Sequence, residues 1–415
     1  MRRLMWIAVL AACAMVFLST GPSKAATPSW PQWGGPHRDF SVQPANIKTE
    51  WPETGPRKLW SVPLGDGYSA IVSDGRRVYT LARRGGKERV VALDAATGKL
   101  AWEHAYDAPK YEKLDMRFGE GPRSTPLIAG DRLYAVGCFG KFMCLQKDDG
   151  KLLWSRDLIK DVGGTEFTFG YAASPILYKK NVIVLCGENG GRVVAMDADT
   201  GKVAWKSNPY TLSYASPILI EVEGHPQLAI LMGDQAAGLN PDNGTLLWSF
   251  PHANRFQTSM STPIFLPDNR LFISSGGDAG SRVLQLGYDK DQATVKEAWA
   301  SRKLRAAMGS LVCVGDHIYG TTGRDPSMVI CLDTRTGEAV WRERGFSGGG
   351  FVAAGDKLIL LDYDGVLAVA DVSADGFKVH CKAQVLENPA WTSPTLVGHR
   401  LYVRDRKNLV ALDLG

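Results

Sequence analysis

Beyond its first 25 residues the chain has no apolar run approaching the length that crosses a membrane as a helix. It also lacks long stretches of apolar residues at helical spacing, which weighs against a helical bundle. No two cysteines are adjacent and none show the Cys-x-x-Cys spacing of zinc or thioredoxin-like sites. There is no His-Glu-x-x-His. The histidines (His37, His104, His225, His252, His317, His380 and His399) show no paired spacing, so surface or turn positions are expected for them. The glycine-rich run from Gly345 to Gly350 is not followed by a helical pattern, which excludes a phosphate loop. No Ser/His/Asp order can be justified from spacing alone.

The opening residues read as an export signal. Arg2 and Arg3 precede an apolar run from Leu4 to Leu18, and Ser23-Lys24-Ala25 gives a small-x-small cleavage site. Leu10-Ala11-Ala12-Cys13 also matches a lipoprotein box, with Cys13 as the lipidated residue. The apolar run continues past Cys13, however, which favours cleavage after Ala25 and a periplasmic or extracellular protein. Losing Arg2, Arg3 and Lys24 takes the net charge from +5 to +2, so nothing argues for a nucleic-acid partner. The densest basic stretches, Arg83 to Lys87 and Arg404 to Lys407, are expected as solvated hairpin loops.

What is abundant is glycine, 45 residues, and tryptophan, 12, in a repeated phrase: apolar-x-Asp-x-x-Thr-Gly-x-x-x-Trp. It runs from Ala92 to Trp102, then around Asp148 to Trp154, Asp197 to Trp205, Asn240 to Trp248 and Asp333 to Trp341. A looser copy ends at Trp299, and a decayed one from Asp371 to His380 has no tryptophan. The Asp side chain is suited to bond turn amides, and the Gly to supply a left-handed residue. The Trp is large enough to fill a wedge between neighbouring sheets. A second phrase, Ser/Thr-Pro, opens the units at Thr125-Pro126, Ser174-Pro175, Ser216-Pro217, Thr262-Pro263 and Ser393-Pro394. Degenerate starts lie at Ser69, Ser310 and Gly350, giving eight units of about 46 residues.

Four antiparallel strands at this period make a β-propeller blade, so the expected fold is an all-β, eight-bladed propeller. The last unit stops at Gly415 without its Trp strand, while Arg57-Lys58-Leu59-Trp60-Ser61-Val62 is a Trp strand without a unit. The N-terminal strand is therefore expected to close the last blade. The expected division is a signal at 1–25, an extended segment at 26–56 and the propeller at 57–415.

These repeats resemble the PQQ-like propeller repeat family, through the copies at Asp94, Asp197 and Asp333 and the Ser-Pro starts at Ser174 and Ser216. The segment from Trp30 to Pro36, with Trp51-Pro52, resembles the start of secreted propellers of this group from planctomycete-type bacteria. The resemblance implies one of two functions. One branch, the quinoprotein alcohol dehydrogenases, holds PQQ and calcium on the axis, with an adjacent-cysteine disulfide, a tryptophan floor and a carboxylate set. The other, of the BamB type, is a protein scaffold of comparable length at the outer membrane. Size and the missing cysteine pair favour a non-catalytic monomeric propeller without cofactor, whose partner is an envelope protein or a polysaccharide. The alternative is a divergent quinoprotein oxidoreductase acting on alcohols or sugars.

The channel mouth should be lined by the residues three before each Pro position: Gly67, Arg123, Ala172, Tyr214, Met260, Met308, Gly348 and Trp391. Tyr68 and Tyr171 stand alongside. Arg123, Tyr171, Tyr214 and Trp391 are the candidate ligand contacts, suited to an aromatic or sugar-like molecule. The alternative, that these side chains simply plug the axis, stays open. Asp66 and Glu120 lie just outside this set, and two scattered acids make a poor calcium cage. Asp362-Tyr363-Asp364-Gly365 reads better as a hairpin turn than as a calcium loop. Cys138 and Cys144 flank a short turn, so either a cross-hairpin disulfide or two buried thiols fits.

Overall fold

The computed structural model describes residues 28–187, 193–306, 308–323, 327–387 and 389–415. The expected signal and Cys13 lie outside the described residues. Eight antiparallel sheets follow one another as the blades of a propeller. Their spans are 72–107, 127–157, 176–206, 218–251, 264–301, 312–343 and 349–384, with the eighth at 395–413. Among the described residues the helical element is one 3-10 turn, Met116–Phe118, and no helix is long and apolar enough to cross a membrane.

The eighth blade takes its outer strand from the other end of the chain. Arg57–Pro63 pairs antiparallel with Asn408–Asp413, from Arg57 opposite Asp413 to Pro63 opposite Asn408. The seam to blade 1 is tied by further bonds. Thr395 Oγ1 donates to Ile71 O at 2.7 Å and Tyr402 OH to Ala95 O at 3.1 Å. Arg404 Nη1 donates to Leu81 O at 2.7 Å, Ser69 O at 2.9 Å and Thr80 Oγ1 at 3.0 Å. Arg404 is fully buried, which corrects its assignment to a solvated loop. The seam needs a long donor to reach backbone oxygens on the neighbouring blade. Arg83 is also buried, donating to Ala108 O at 2.9 Å and pairing with Glu120 at 3.0 Å. One blade departs from four strands. Ser41–Val42 adds a fifth, parallel strand to Gly349–Ala354.

The repeated phrase carries out two tasks. Within a blade, Trp102, Trp154, Trp205, Trp248, Trp299, Trp341 and Trp60 each face a third-strand residue beside a β-bulge. In blade 7 Cys381 takes that register opposite Val369. Between blades, all of these indoles but that of Trp248 reach the next turn: Trp154 Nε1 donates to Ala198 O at 2.9 Å and Trp205 Nε1 to Pro241 O at 3.1 Å. Equivalent bonds run from Trp60, Trp102, Trp299 and Trp341. The turn itself is held by its Asp. Asp197 Oδ1 accepts from Thr200 N at 3.0 Å and Thr200 Oγ1 at 2.8 Å.

Glycine is then required for two reasons at once. Gly244 has φ +75°, and a Cβ there would sit 2.4 Å from the Trp205 ring. Gly98, Gly150, Gly201 and Gly337 meet the indoles of Trp60, Trp102, Trp154 and Trp299 in the same way. Trp248 is the exception. Blade 5 replaces the Asp-Gly turn with a two-residue hairpin between Asp289 and Gln292. The Trp248 indole therefore bonds Gln227 Oε1 of its own blade at 2.7 Å.

Two substitutions test the interlock. Trp205→Ala should cost on the order of 3–5 kcal/mol of unfolding free energy. Gly244→Ala should be destabilising in the native background and clearly less so in the Trp205→Ala background, with a coupling of about 1 kcal/mol or more in denaturant titrations. Equal cost in both backgrounds would mean that the glycine serves only its own turn.

Candidate functional site

The first strand of each blade starts at the Ser/Thr-Pro phrase, and the hydroxyls of that phrase are turned sideways to the neighbouring blade. Thr125 Oγ1 accepts from Ala70 N at 3.3 Å, Ser174 Oγ from Thr125 N at 3.0 Å and Ser216 Oγ from Ser174 N at 3.0 Å. Farther round, Ser261 Oγ donates to Ala306 O, Ser310 Oγ to Phe351 O and Thr392 Oγ1 to Tyr68 O. This hydrogen-bonded belt brings the residues just before it onto the axis. Proline fixes φ at the next position and offers no N–H that would compete.

The N-terminal segment crosses the same axis. Trp30 exchanges backbone bonds with Ser73 of blade 1, and Pro31 O accepts from Ile128 N of blade 2 at 2.8 Å. Arg38 donates to Pro175 O of blade 3 at 3.0 Å, and Trp33 Nε1 to Thr262 Oγ1 of blade 5 at 2.8 Å. Phe40 O accepts from Ala353 N of blade 7 at 2.9 Å. A segment touching the first strands of five blades spans the channel. Burial without a carboxylate partner lowers the Arg38 pKa to about 9.

At the belt lies a cavity of about 180 Å³. Arg123, Ala172, Tyr214, Met260, Met308 and Trp391 line it, as the spacing predicts, together with Tyr68. Gly67 and Gly348 present no side chain to it. Trp33, Phe118 and Phe169 line it too, and none of them carries a repeat signal. They come from the crossing segment and from two long connections between blades. Aromatics in the longest connections were the available clue.

Tyr171 is not at the mouth. It is 2% exposed, packed on Phe167 with ring centroids 4.5 Å apart, and donates to Thr165 O at 2.9 Å. It sits one residue on the wrong side of Ala172, so its ring faces the interface of blades 2 and 3. Burial raises the pKa of the Tyr214 phenol to about 12.

Arg123 is the one charged side chain lining the cavity among the described residues, and its terminal nitrogens are committed. Nη1 donates to Gly121 O at 3.0 Å and Cys138 Sγ at 3.1 Å. Nη2 donates to Gly119 O at 3.0 Å and Phe118 O at 3.3 Å. The guanidinium thus pins the loop that carries Phe118, and lies 5.8 Å from the Tyr68 ring centroid.

Behind it is a buried carboxyl. Glu88 accepts from Tyr106 OH at 2.7 Å and from Cys138 N at 3.2 Å, and burial raises its pKa to about 7. Cys138 and Cys144 are free thiols. Cys138 lies in the turn against Arg123, while Cys144 lies mid-strand opposite Tyr134 and Trp154, so no disulfide forms. Burial pushes the Cys138 thiol up to about 12, far from a reactive thiolate.

The remaining candidates are structural. Burial does not favour the Asp66 charge, yet Arg406, at 2.9 Å, holds its carboxyl below the usual range. Asp362 sits in its hairpin turn, accepting from Val366 N at 2.8 Å and Asp364 N at 3.1 Å. His252 is buried, contrary to the surface position expected for it. Its Nδ1 accepts from Arg282 Nε at 3.2 Å, so Nε2 carries the proton toward Ser275 Oγ at 3.1 Å. That arrangement cannot activate the serine as a base would. No group of three or more His, Cys, Asp or Glu among the described residues is gathered as a metal site.

A family model described as outer membrane protein assembly factor BamB matches residues 51–117 and 86–343. Over 388 residues the chain is 24% identical to BamB of Shewanella oneidensis, covering 86% of this chain and 88% of that protein. Over 124 residues it is 34% identical to the quinohemoprotein alcohol dehydrogenase ADH IIB of Pseudomonas putida, which is 28% of this chain and only 17% of that enzyme. The crystal structure of the quinohemoprotein alcohol dehydrogenase from Comamonas testosteroni superposes with TM-score 0.64 at 14% identity, over 94% of this chain and 81% of that one. That is a likeness of fold.

Glu88 makes a pH test possible. Its folded pKa, about 7, lies above the ordinary 4.5, so the unfolded chain ionises first. Stability should therefore fall as pH rises from about 4.5 to 7 and level off above, with a slope of up to ~1.4 kcal/mol per pH unit. Glu88→Gln should flatten that part of the profile, read as unfolding free energy against pH. An unchanged profile would place the titration elsewhere.

Proposed function

The chain belongs to the PQQ-like propeller repeat family, and from that premise we propose that it is an exported, non-catalytic binding or scaffold module of the cell envelope, as BamB is an assembly factor. The observation that carries this reading is the chemistry of the axial cavity. It offers stacking surfaces in Tyr68, Trp391 and Phe169, and among the described residues its lining holds no Asp, Glu, His or Cys. The near end-to-end likeness to BamB supports it further, since a dehydrogenase relative matches over a small part of its length. An envelope protein or a polysaccharide is the partner that this reading implies.

The second reading is a quinoprotein oxidoreductase, favoured by the aromatic floor that Trp33 and Trp391 give the cavity. The residues present do not fit PQQ and calcium. Calcium asks for several oxygen ligands including carboxylates, and among the described residues no Asp or Glu lines the cavity. The quinone's own carboxylates ask for free cationic donors, and both terminal nitrogens of Arg123 are spent on the Phe118 loop and the Cys138 sulfur.

Purified protein incubated with PQQ and calcium, then desalted, is expected to retain no quinone absorbance and to reduce no dye with alcohols or aldose sugars. Isolation from the native envelope is expected to bring down a specific envelope component. Stoichiometric PQQ with alcohol-dependent turnover would overturn the reading.

A further inference from the structure

The side chains around the axial cavity face it without filling it. Trp33, Tyr68, Phe118, Phe169, Met308 and Trp391 remain half-buried, whereas a blade tryptophan such as Trp248 is 4% exposed. The arrangement is shaped rather than merely greasy. Tyr68 and Trp391 stack on one another, 15° apart with centroids at 5.3 Å. Phe118 stands edge-on to Phe169 at 84° and 5.5 Å, and Phe169 continues to Tyr214 at 5.4 Å. The thioethers of Met260 and Met308 complete the lining, a soft surface that suits ring edges.

Charge and polarity narrow the ligand. With both terminal nitrogens of Arg123 already donating to backbone oxygens and the Cys138 sulfur, a carboxylate or phosphate entering here would find no bidentate guanidinium face to repay its desolvation. A sugar ring would bring several hydroxyls that each need pairing once desolvated. The cavity meets them mostly with carbon. What it does offer is the belt hydroxyls. Ser174 Oγ and Ser216 Oγ each accept one backbone amide, and a serine hydroxyl that accepts such a bond can still donate its own proton.

We propose that the axial cavity binds an uncharged aromatic compound of one or two fused rings, bearing at most hydroxyl or carbonyl groups on its rim. The ring packs among the aromatic and thioether side chains of the lining, and a rim oxygen accepts from Ser174 or Ser216. The proposal rests on reading the propeller as a binding module and names the ligand class of that module's central site.

The test is calorimetric titration of the protein with 2-naphthol, 2-naphthoate and maltose. The expected result is one-to-one binding of 2-naphthol, with 2-naphthoate and maltose at least ~10-fold weaker. Trp391→Ala and Met260→Glu are each expected to weaken 2-naphthol by a further ~10-fold or more while the melting temperature stays within a few degrees. The comparison of neutral with anionic ligand on the unaltered protein stands whether or not the variants fold. Equal or tighter binding of 2-naphthoate, preference for maltose, or indifference of 2-naphthol to both substitutions would overturn the proposal. A protein that brings down an envelope component yet ignores 2-naphthol contradicts the ligand class alone. Turnover of alcohols contradicts the binding-module reading itself.

Discussion

A propeller of separate sheets stands or falls on the contact between one blade and the next, and here that contact is an indole laid over a glycine turn. Each blade is a sheet of four strands, five in blade 7, with two apolar faces and too small to bury them alone. The Trp of one blade supplies both apolar area and a hydrogen bond to a turn carbonyl of its neighbour, as Trp102 does to Lys147 O at 3.0 Å. The turn must give way to admit it, which is why a residue with no Cβ recurs at Gly98, Gly150, Gly201, Gly244 and Gly337. Where the turn is lost, in blade 5, the indole turns back to its own blade. Where the Trp is lost, in blade 7, Cys381 holds the register and the fifth strand, Ser41–Val42, is added to the opposite edge.

The interlock pushes function to the axis. Once the faces are spent on neighbouring blades, the first strands are the one set of elements that converge, and their starts are tied into a belt by pre-proline hydroxyls. The residues just before the belt then project into one small space. Closure by Arg57–Pro63 and the crossing segment from Trp30 to Phe40 belong to the same design. The first completes the ring, and the second brings Trp33 into the cavity wall and ties Arg38 to the start of blade 3.

Repetition made most of this legible in the sequence. The period, the Trp and Gly positions, the closing strand and the cavity residues Arg123, Ala172, Tyr214, Met260, Met308 and Trp391 all follow from a spacing that eight units share. What lay outside the repeat was not legible. Trp33, Phe118 and Phe169 come from segments that occur once, so no register points to their direction. Tyr171 was misplaced because a neighbour in sequence is not a neighbour in space when side chains alternate. Arg404 looked solvated because charge suggests water. Its burial is set by the backbone oxygens of blade 1, which no local pattern records. The same limit applies to chemistry: the interlock specifies a ring and says nothing about what the axis holds.

The ring is one cooperative unit whose cavity exists because the seam is shut. The most direct measurement is calorimetric unfolding of the protein beside a version lacking residues 28–63. A single sharp transition is expected for the former. For the latter a lower, broadened one is expected, because blade 8 loses its outer strand and the Trp60 contact with Gly98, and the axis loses its crossing segment. A shortened protein that unfolds at the same temperature and with the same cooperativity would contradict it.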